Sequence, residues 1–258
     1  MNCFKKIFIF TMLIVGYLFS NQASAHEFIV KPYFFSLPQP GENPFSIVSS
    51  HIYMLSEEVE PLDKVEVYLI GPDTNQKINL QPNQTLYTLD GKVMLTEPGM
   101  FYLKAHRKGM IWTKTTKGWV QKSKKGLKGV LKSGLYEKFS KALIKVGENT
   151  NFYKKPLGQT LEIIPLKNPY QLKPGDILPV KVLLQGKPIN TEIMASYDRF
   201  SMHPNTYAYL TEAQDNGIGY VKISSPGVWM VRVQVEKKVN SKDYDAHVMR
   251  ATLIFEVR

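Results

Sequence analysis

Short alternating runs of apolar and polar residues, cut at intervals by turn signals, constrain this chain more than any other feature. Residues 65–70 set Val65, Val67 and Leu69 on one face, the two-residue period of a half-buried strand. Gly71-Pro72-Asp73 then turns the chain, Asp90-Gly91 predicts a tight hairpin, and Glu97-Pro98-Gly99 opens a run over residues 100–106. The second half repeats the rhythm, with Lys173-Pro174-Gly175-Asp176 and Gln185-Gly186-Lys187-Pro188 between strand-like runs. Ser225-Pro226-Gly227 precedes residues 228–235 much as Glu97-Pro98-Gly99 precedes its own strand. The expected class is all-β, with two Ig-like, Greek-key β-sandwich domains.

One stretch departs from that pattern. Leu131, Leu135, Phe139 and Leu143 recur every four residues with lysines between them, which predicts a short basic amphipathic helix joining the sandwiches. The expected division is a leader over residues 1–25, a first sandwich with its helical linker over 26–150, and a second over 159–258. The boundary falls between about 147 and 160.

The leader is read from its three parts. Lys5 and Lys6 give a positive start, residues 7–19 are largely apolar, and Ala23-Ser24-Ala25 supplies a small-residue cleavage pattern. An apolar run of about 13 residues falls short of the roughly 20 that a membrane-spanning helix needs. The expectation is a periplasmic protein that starts at His26, without stable membrane insertion once the leader is removed. Its single cysteine, Cys3, lies in the leader, so packing and not disulfides must hold the mature chain.

Charge is unevenly spread. The net value is +11, and between Lys104 and Lys145 thirteen Lys and Arg face one acid, Glu137. Such a block attracts nucleic acid, anionic lipid or an acidic protein; export argues against nucleic acid, and a solvated helix face explains the block most simply.

Candidate chemistry centres on histidine. A chain beginning at His26 offers a cation its α-amine and its imidazole together. His51 ends an early strand and is expected near His26, and two imidazoles with a terminal amine suit copper, nickel or cobalt. His106 and His247 are further candidate ligands, the former beside the opposing charge of Arg107-Lys108. His203 lies in a loop, Asp243 and Asp245 could add oxygen, and Met54 and Met202 could add sulfur. Motifs for catalysis are missing: there is no nucleophile elbow, no His-Glu-x-x-His and no phosphate-cradling glycine loop.

His26-Glu27-Phe28, the run from Leu161-Glu162-Ile163-Ile164-Pro165 through Leu166-Lys167-Asn168-Pro169-Tyr170, Gly186-Lys187-Pro188, and the ending Ala251-Thr252-Leu253-Ile254-Phe255-Glu256-Val257 together resemble the DUF4198 family. That resemblance covers nearly the whole mature chain. It implies an exported component of cobalt or nickel uptake, with a metal site at the first histidine and at another ending an early strand. The matching positions are His26 and His51, and Ser49-Ser50 stand where some relatives carry further histidines. The expected function is therefore a non-enzymatic, periplasmic metal-binding protein that passes nickel or cobalt to an inner-membrane metal transporter. Copper binding through the same chelate, or a non-metal interaction module, is the alternative.

Overall fold

A computed structural model describes residues 26–147 and 151–258; residues 1–25, expected from the sequence to be a leader, lie outside the described residues. The first half of the chain forms β1 (Glu27–Pro32), β2 (Ser36–Leu37), β3 (Gly41–Ser50), β4 (Val65–Ile70), β5 (Asn75–Ile78) and β6 (Gln81–Asn83). It continues through β7 (Thr88–Leu95), β8 (Gly99–Thr115), β9 (Gly118–Val120) and β10 (Val130–Val146). The second half adds β11 (Leu161–Pro165), β12 (Ile177–Leu184), β13 (Lys187–Pro188), β14 (Thr191–Tyr197) and β15 (Tyr209–Ala213). It closes with β16 (Ile218–Lys222), β17 (Gly227–Lys238) and β18 (Ala246–Val257).

These strands stack as β-sheets. The largest sheet has ten strands and runs β15-β14-β17-β18-β10-β8-β4-β5, with β2 on β10 and β9 on β8. It crosses from one half of the chain to the other where β10 and β18 pair in parallel, Phe139 opposite Ala251. A four-stranded sheet, β1-β3-β7-β6, packs on one face, and β11, β12, β13 and β16 form another sheet on the opposite face.

Side-chain alternation divides the large sheet between two cores. On β8, Phe101, Leu103 and Ala105 enter the core shared with β1 and β3, whereas Met100 and Tyr102 enter the core shared with β11 and β12. On β10, Ala142, Ile144 and Val146 face the first core, and Phe139 and Leu143 face the second. Strands covered on both sides bury apolar residues at successive positions.

The expected helical linker is a strand. A spacing of four is also a multiple of two, so Leu131, Leu135, Phe139 and Leu143 share a strand face as readily as a helix face. The lysines correct the same reading. Lys138 is buried against Glu60, with Nζ–Oε1 2.8 Å, and Lys141 against Glu162 at 2.7 Å. Each points into a core and meets a carboxylate from the sheet or loop that covers it.

A second correction concerns Asp90-Gly91, which lies inside β7 and not at a hairpin tip. A Cβ at Gly91 would stand 2.5 Å from the Phe45 ring on the neighbouring strand, so glycine here makes room for an aromatic. Asp90 accepts hydrogen bonds from Ser46, Thr88 and Asn83. The chain turns instead at residues 84–87, where Tyr87 takes a positive φ of 56°.

Removing one partner of a buried ion pair leaves a charge without compensation, at a cost of about 3–5 kcal/mol. Lys141→Met should therefore lower the urea-unfolding free energy by about that amount. Converting Glu162 to Leu as well should not restore wild-type stability. Its carboxylate also accepts the Leu157 and Gly158 N–H groups, which would be orphaned. A Lys141→Met variant of unchanged unfolding midpoint would contradict this account of the pair.

Candidate metal site at the start of β1

The site is set by strand register. β1 and β3 are antiparallel with Glu27 opposite Ser50, so the next residue outward on each strand, His26 and His51, meets at one end of the sheet. Their rings stand 3.9 Å apart between centroids and are tilted by 46°. The chain then bends back after β3 and delivers two adjacent carboxylates.

Glu57 locks that bend. Its Oε1 accepts the His51 backbone N–H at 2.8 Å, and its own N–H donates to the Ser49 carbonyl at 2.9 Å. Its Oε2 lies 2.8 Å from His51 Nδ1 and 3.3 Å from His26 Nε2. Glu58 takes the other side of the first ring, with Oε1 2.9 Å from His26 Nδ1, and also accepts the Ser49 hydroxyl at 3.1 Å. Partial burial raises the Glu57 carboxyl, yet hydrogen bonds from the His51 ring and backbone leave it below its ordinary value.

Geometry decides what this set can hold. His26, His51 and Glu57 each offer a donor atom, all within 4.8 Å of one another. Donors about 2.1 Å from a common ion stand roughly 3.0–3.4 Å apart at angles between right and tetrahedral. The separations of 2.8 and 3.3 Å to Glu57 Oε2 lie close to that range, and the two ring nitrogens lie within 4.8 Å of each other. Among the described residues no other His, Cys, Asp or Glu group meets this spacing.

Beneath the site lies a layer of buried charge. Glu27 follows His26 and is held between Arg232 Nε at 3.0 Å and Arg250 Nη1 at 3.6 Å. Burial works to raise the Glu27 carboxyl, but the two guanidiniums, the Tyr207 hydroxyl and Lys138 together outweigh it and the net direction is down. Ser49 donates to Glu60 at 3.1 Å, which meets Lys138 and lies 3.7 Å from Arg107.

The second half of the chain closes on the site from above. Tyr207 donates its hydroxyl to Glu27 Oε1 at 3.0 Å, and the Asn205 N–H donates to the His51 carbonyl at 3.1 Å. Burial pushes the Tyr207 hydroxyl up, so it stays protonated and a donor.

The other expected ligands lie elsewhere. His106 Nε2 is 2.7 Å from Glu137 Oε1 and His247 Nε2 is 2.8 Å from Glu137 Oε2, one carboxylate spanning both rings. Phe139 stacks on His106 at 4.9 Å and 6°. This trio joins β8, β10 and β18 at a bulge between Tyr136 and Lys138; it does not reach His26. His203 and Met202 are exposed in the loop after β14. Asp243 and Asp245 bind Ser123, Lys124 and the Ser133 N–H, which occupies them as anchors. Glu57 and Glu58 were not anticipated, although Glu57-Glu58-Val59-Glu60 six residues after His51 is an acidic cluster close enough to fold back on it.

The hydrogen bond from His26, acting against partial burial, draws the Glu58 carboxyl from its ordinary 4.5 down to about 2. A group with a depressed folded-state value contributes stability that is complete above about 4.5 and lost as pH falls through about 2. Glu58→Gln should flatten the decline of the urea midpoint over that window; an acid limb as steep as that of wild type would contradict the His26–Glu58 pairing.

A family model described as "Domain of unknown function (DUF4198)" matches residues 23–237. Comparison with curated proteins finds no match. Among solved structures, the chain is similar to "D0-D1 domain of Intimin" at 12% identity, covering 90% of this chain and 100% of that one with a TM-score of 0.23. It is also similar to "Tandem Ig repeats of Dlar" at 11% identity, covering 92% and 100%, TM-score 0.23. For "Escherichia coli alpha-2-macroglobulin activated by porcine elastase" the identity is 10% over 91% of this chain and 20% of that one, TM-score 0.27. At these scores the structural likenesses carry no argument about this chain.

Proposed function

This chain belongs to the DUF4198 family, and on that premise we propose that it is a periplasmic protein that binds a divalent transition metal as cargo. The ion, nickel or cobalt, is passed on to an inner-membrane transporter. One observation carries this reading: two imidazoles and one carboxylate converge with their donor atoms within 4.8 Å.

His26, His51 and Glu57 are the proposed ligands. With His26 facing the ion through Nε2, its α-amine cannot reach the same ion, because an amine chelate needs Nδ1, the nitrogen that Glu58 holds. The mixed nitrogen and oxygen set suits an ion of intermediate softness. Glu58 and Ser49 orient the His26 ring from outside, as hydrogen-bonded partners of metal ligands do. Copper(II) takes similar donors and heads the affinity series, so tighter binding of copper in solution would not by itself change the cargo.

Calorimetric titration of protein starting at His26 with Ni²⁺ and Co²⁺ tests this reading. Loss of an orienting partner typically weakens a metal site about 10–100-fold, so His26→Ala, His51→Ala and Glu57→Gln should each cost at least that much. Affinity should also fall as the solution is acidified, because protons compete for the imidazole lone pairs. Equal affinity in wild type and His26→Ala would overturn the assignment.

A further inference from the structure

Seven lysines and no acidic residue occupy residues 109–136. They ride on the outer ends of β8 and β10, on the turn between β8 and β9, and on the loop between β9 and β10. Successive strand residues point to opposite faces, and Leu131 and Lys132 are both exposed. Neither flanking sheet covers the arm there, so it stands out from the stacked sheets.

The arm is held in place. Ser123 donates to Asp243, the Lys124 ammonium pairs with Asp245, and the Ser133 N–H donates to the Asp245 carboxylate at 3.0 Å. Those two acids neutralise Lys124 alone. Among the described residues no carboxylate pairs with Lys114, Lys117, Lys122, Lys125, Lys128 or Lys132, whereas Lys77, Lys92 and Lys108 each have a glutamate partner. The arm also carries apolar surface. Leu131 is 60% exposed, and Trp119 lies half-buried with Lys132 Nζ 5.4 Å above its ring.

We propose that this arm docks the protein on an anionic lipid surface. The choice of cation distinguishes that partner from an acidic protein. All seven charges are lysine and none is arginine; fixed carboxylates are best met by the planar arginine fork, while a fluid headgroup layer needs only hydrated point charges. Tryptophan and an exposed leucine beside those charges suit the boundary between headgroups and acyl chains. This inference is independent of the metal site, which lies on other strands.

Sedimentation with lipid vesicles in the absence of metal tests it, using the protein starting at His26. The protein should bind vesicles containing phosphatidylglycerol and not vesicles of phosphatidylcholine alone, and binding should weaken as ionic strength rises past about 0.15 M. Each lysine near a charged membrane contributes about fivefold to partitioning, so Lys117→Gln, Lys125→Gln and Lys128→Gln combined should reduce it about a hundredfold. The corresponding triple arginine variant should keep it, as should Lys155→Gln, Lys173→Gln and Lys187→Gln combined, which are exposed lysines outside the arm. An unchanged melting temperature in the arm variant shows that its loss is not unfolding. No binding to phosphatidylglycerol vesicles at low salt, or equal binding by the arm variant, would overturn the proposal. So would arm-dependent binding to an acidic polypeptide without vesicle binding, which would name a protein partner instead.

Discussion

Everything in this molecule leans on β10, the strand that pairs with β8 on one edge and with β18 on the other. Because stacked sheets cover both faces of β10 from Lys138 onward, each polar side chain it carries inward there must find a partner across a core. The partners arrive from opposite directions. Lys138 and Ser140 turn toward the sheet containing β1, where they meet Glu60 and the Val30 N–H. Lys141 turns the other way and meets Glu162 on β11. A single strand is thereby keyed to a sheet on each side, and its parallel pairing with β18 makes the two halves of the chain share one sheet.

That keying positions the candidate metal site. Ser140 Oγ fixes β1 through Val30 at 3.0 Å, and Thr252 on β18 donates to the Phe28 carbonyl at 2.9 Å. With β1 seated, its register against β3 determines where His26 and His51 meet. The charge layer under them is then a consequence of location. Glu27 alternates with His26 and points inward, so two arginines and a tyrosine from the second half of the chain must satisfy it. Coupling of this kind means that the site depends on both halves although its proposed ligands all come from the first.

How much of this could be read from residues alone follows from distance along the chain. Strand-like alternation at Val65, Val67 and Leu69 is local, and those residues form β4 as expected. The nearness of His26 and His51 was also legible, since both flank strands separated by a short connection. The four-residue spacing in β10 misled because it satisfies two periods at once, and lysines read as solvated were in fact bound to glutamates 78 and 21 positions away. Glu57 became a candidate ligand only through a bend whose shape rests on its own hydrogen bonds to His51. The bridge from His106 to His247 through Glu137 required the parallel register of β10 with β18, which no pattern in either strand encodes.

The central claim, that one ion sits among His26, His51 and Glu57, is tested most directly by X-ray absorption at the metal edge of nickel-loaded protein starting at His26. The account predicts imidazole scattering from two rings, falling to one in His51→Ala. A spectrum without imidazole scattering, or one identical in the two proteins, would contradict it.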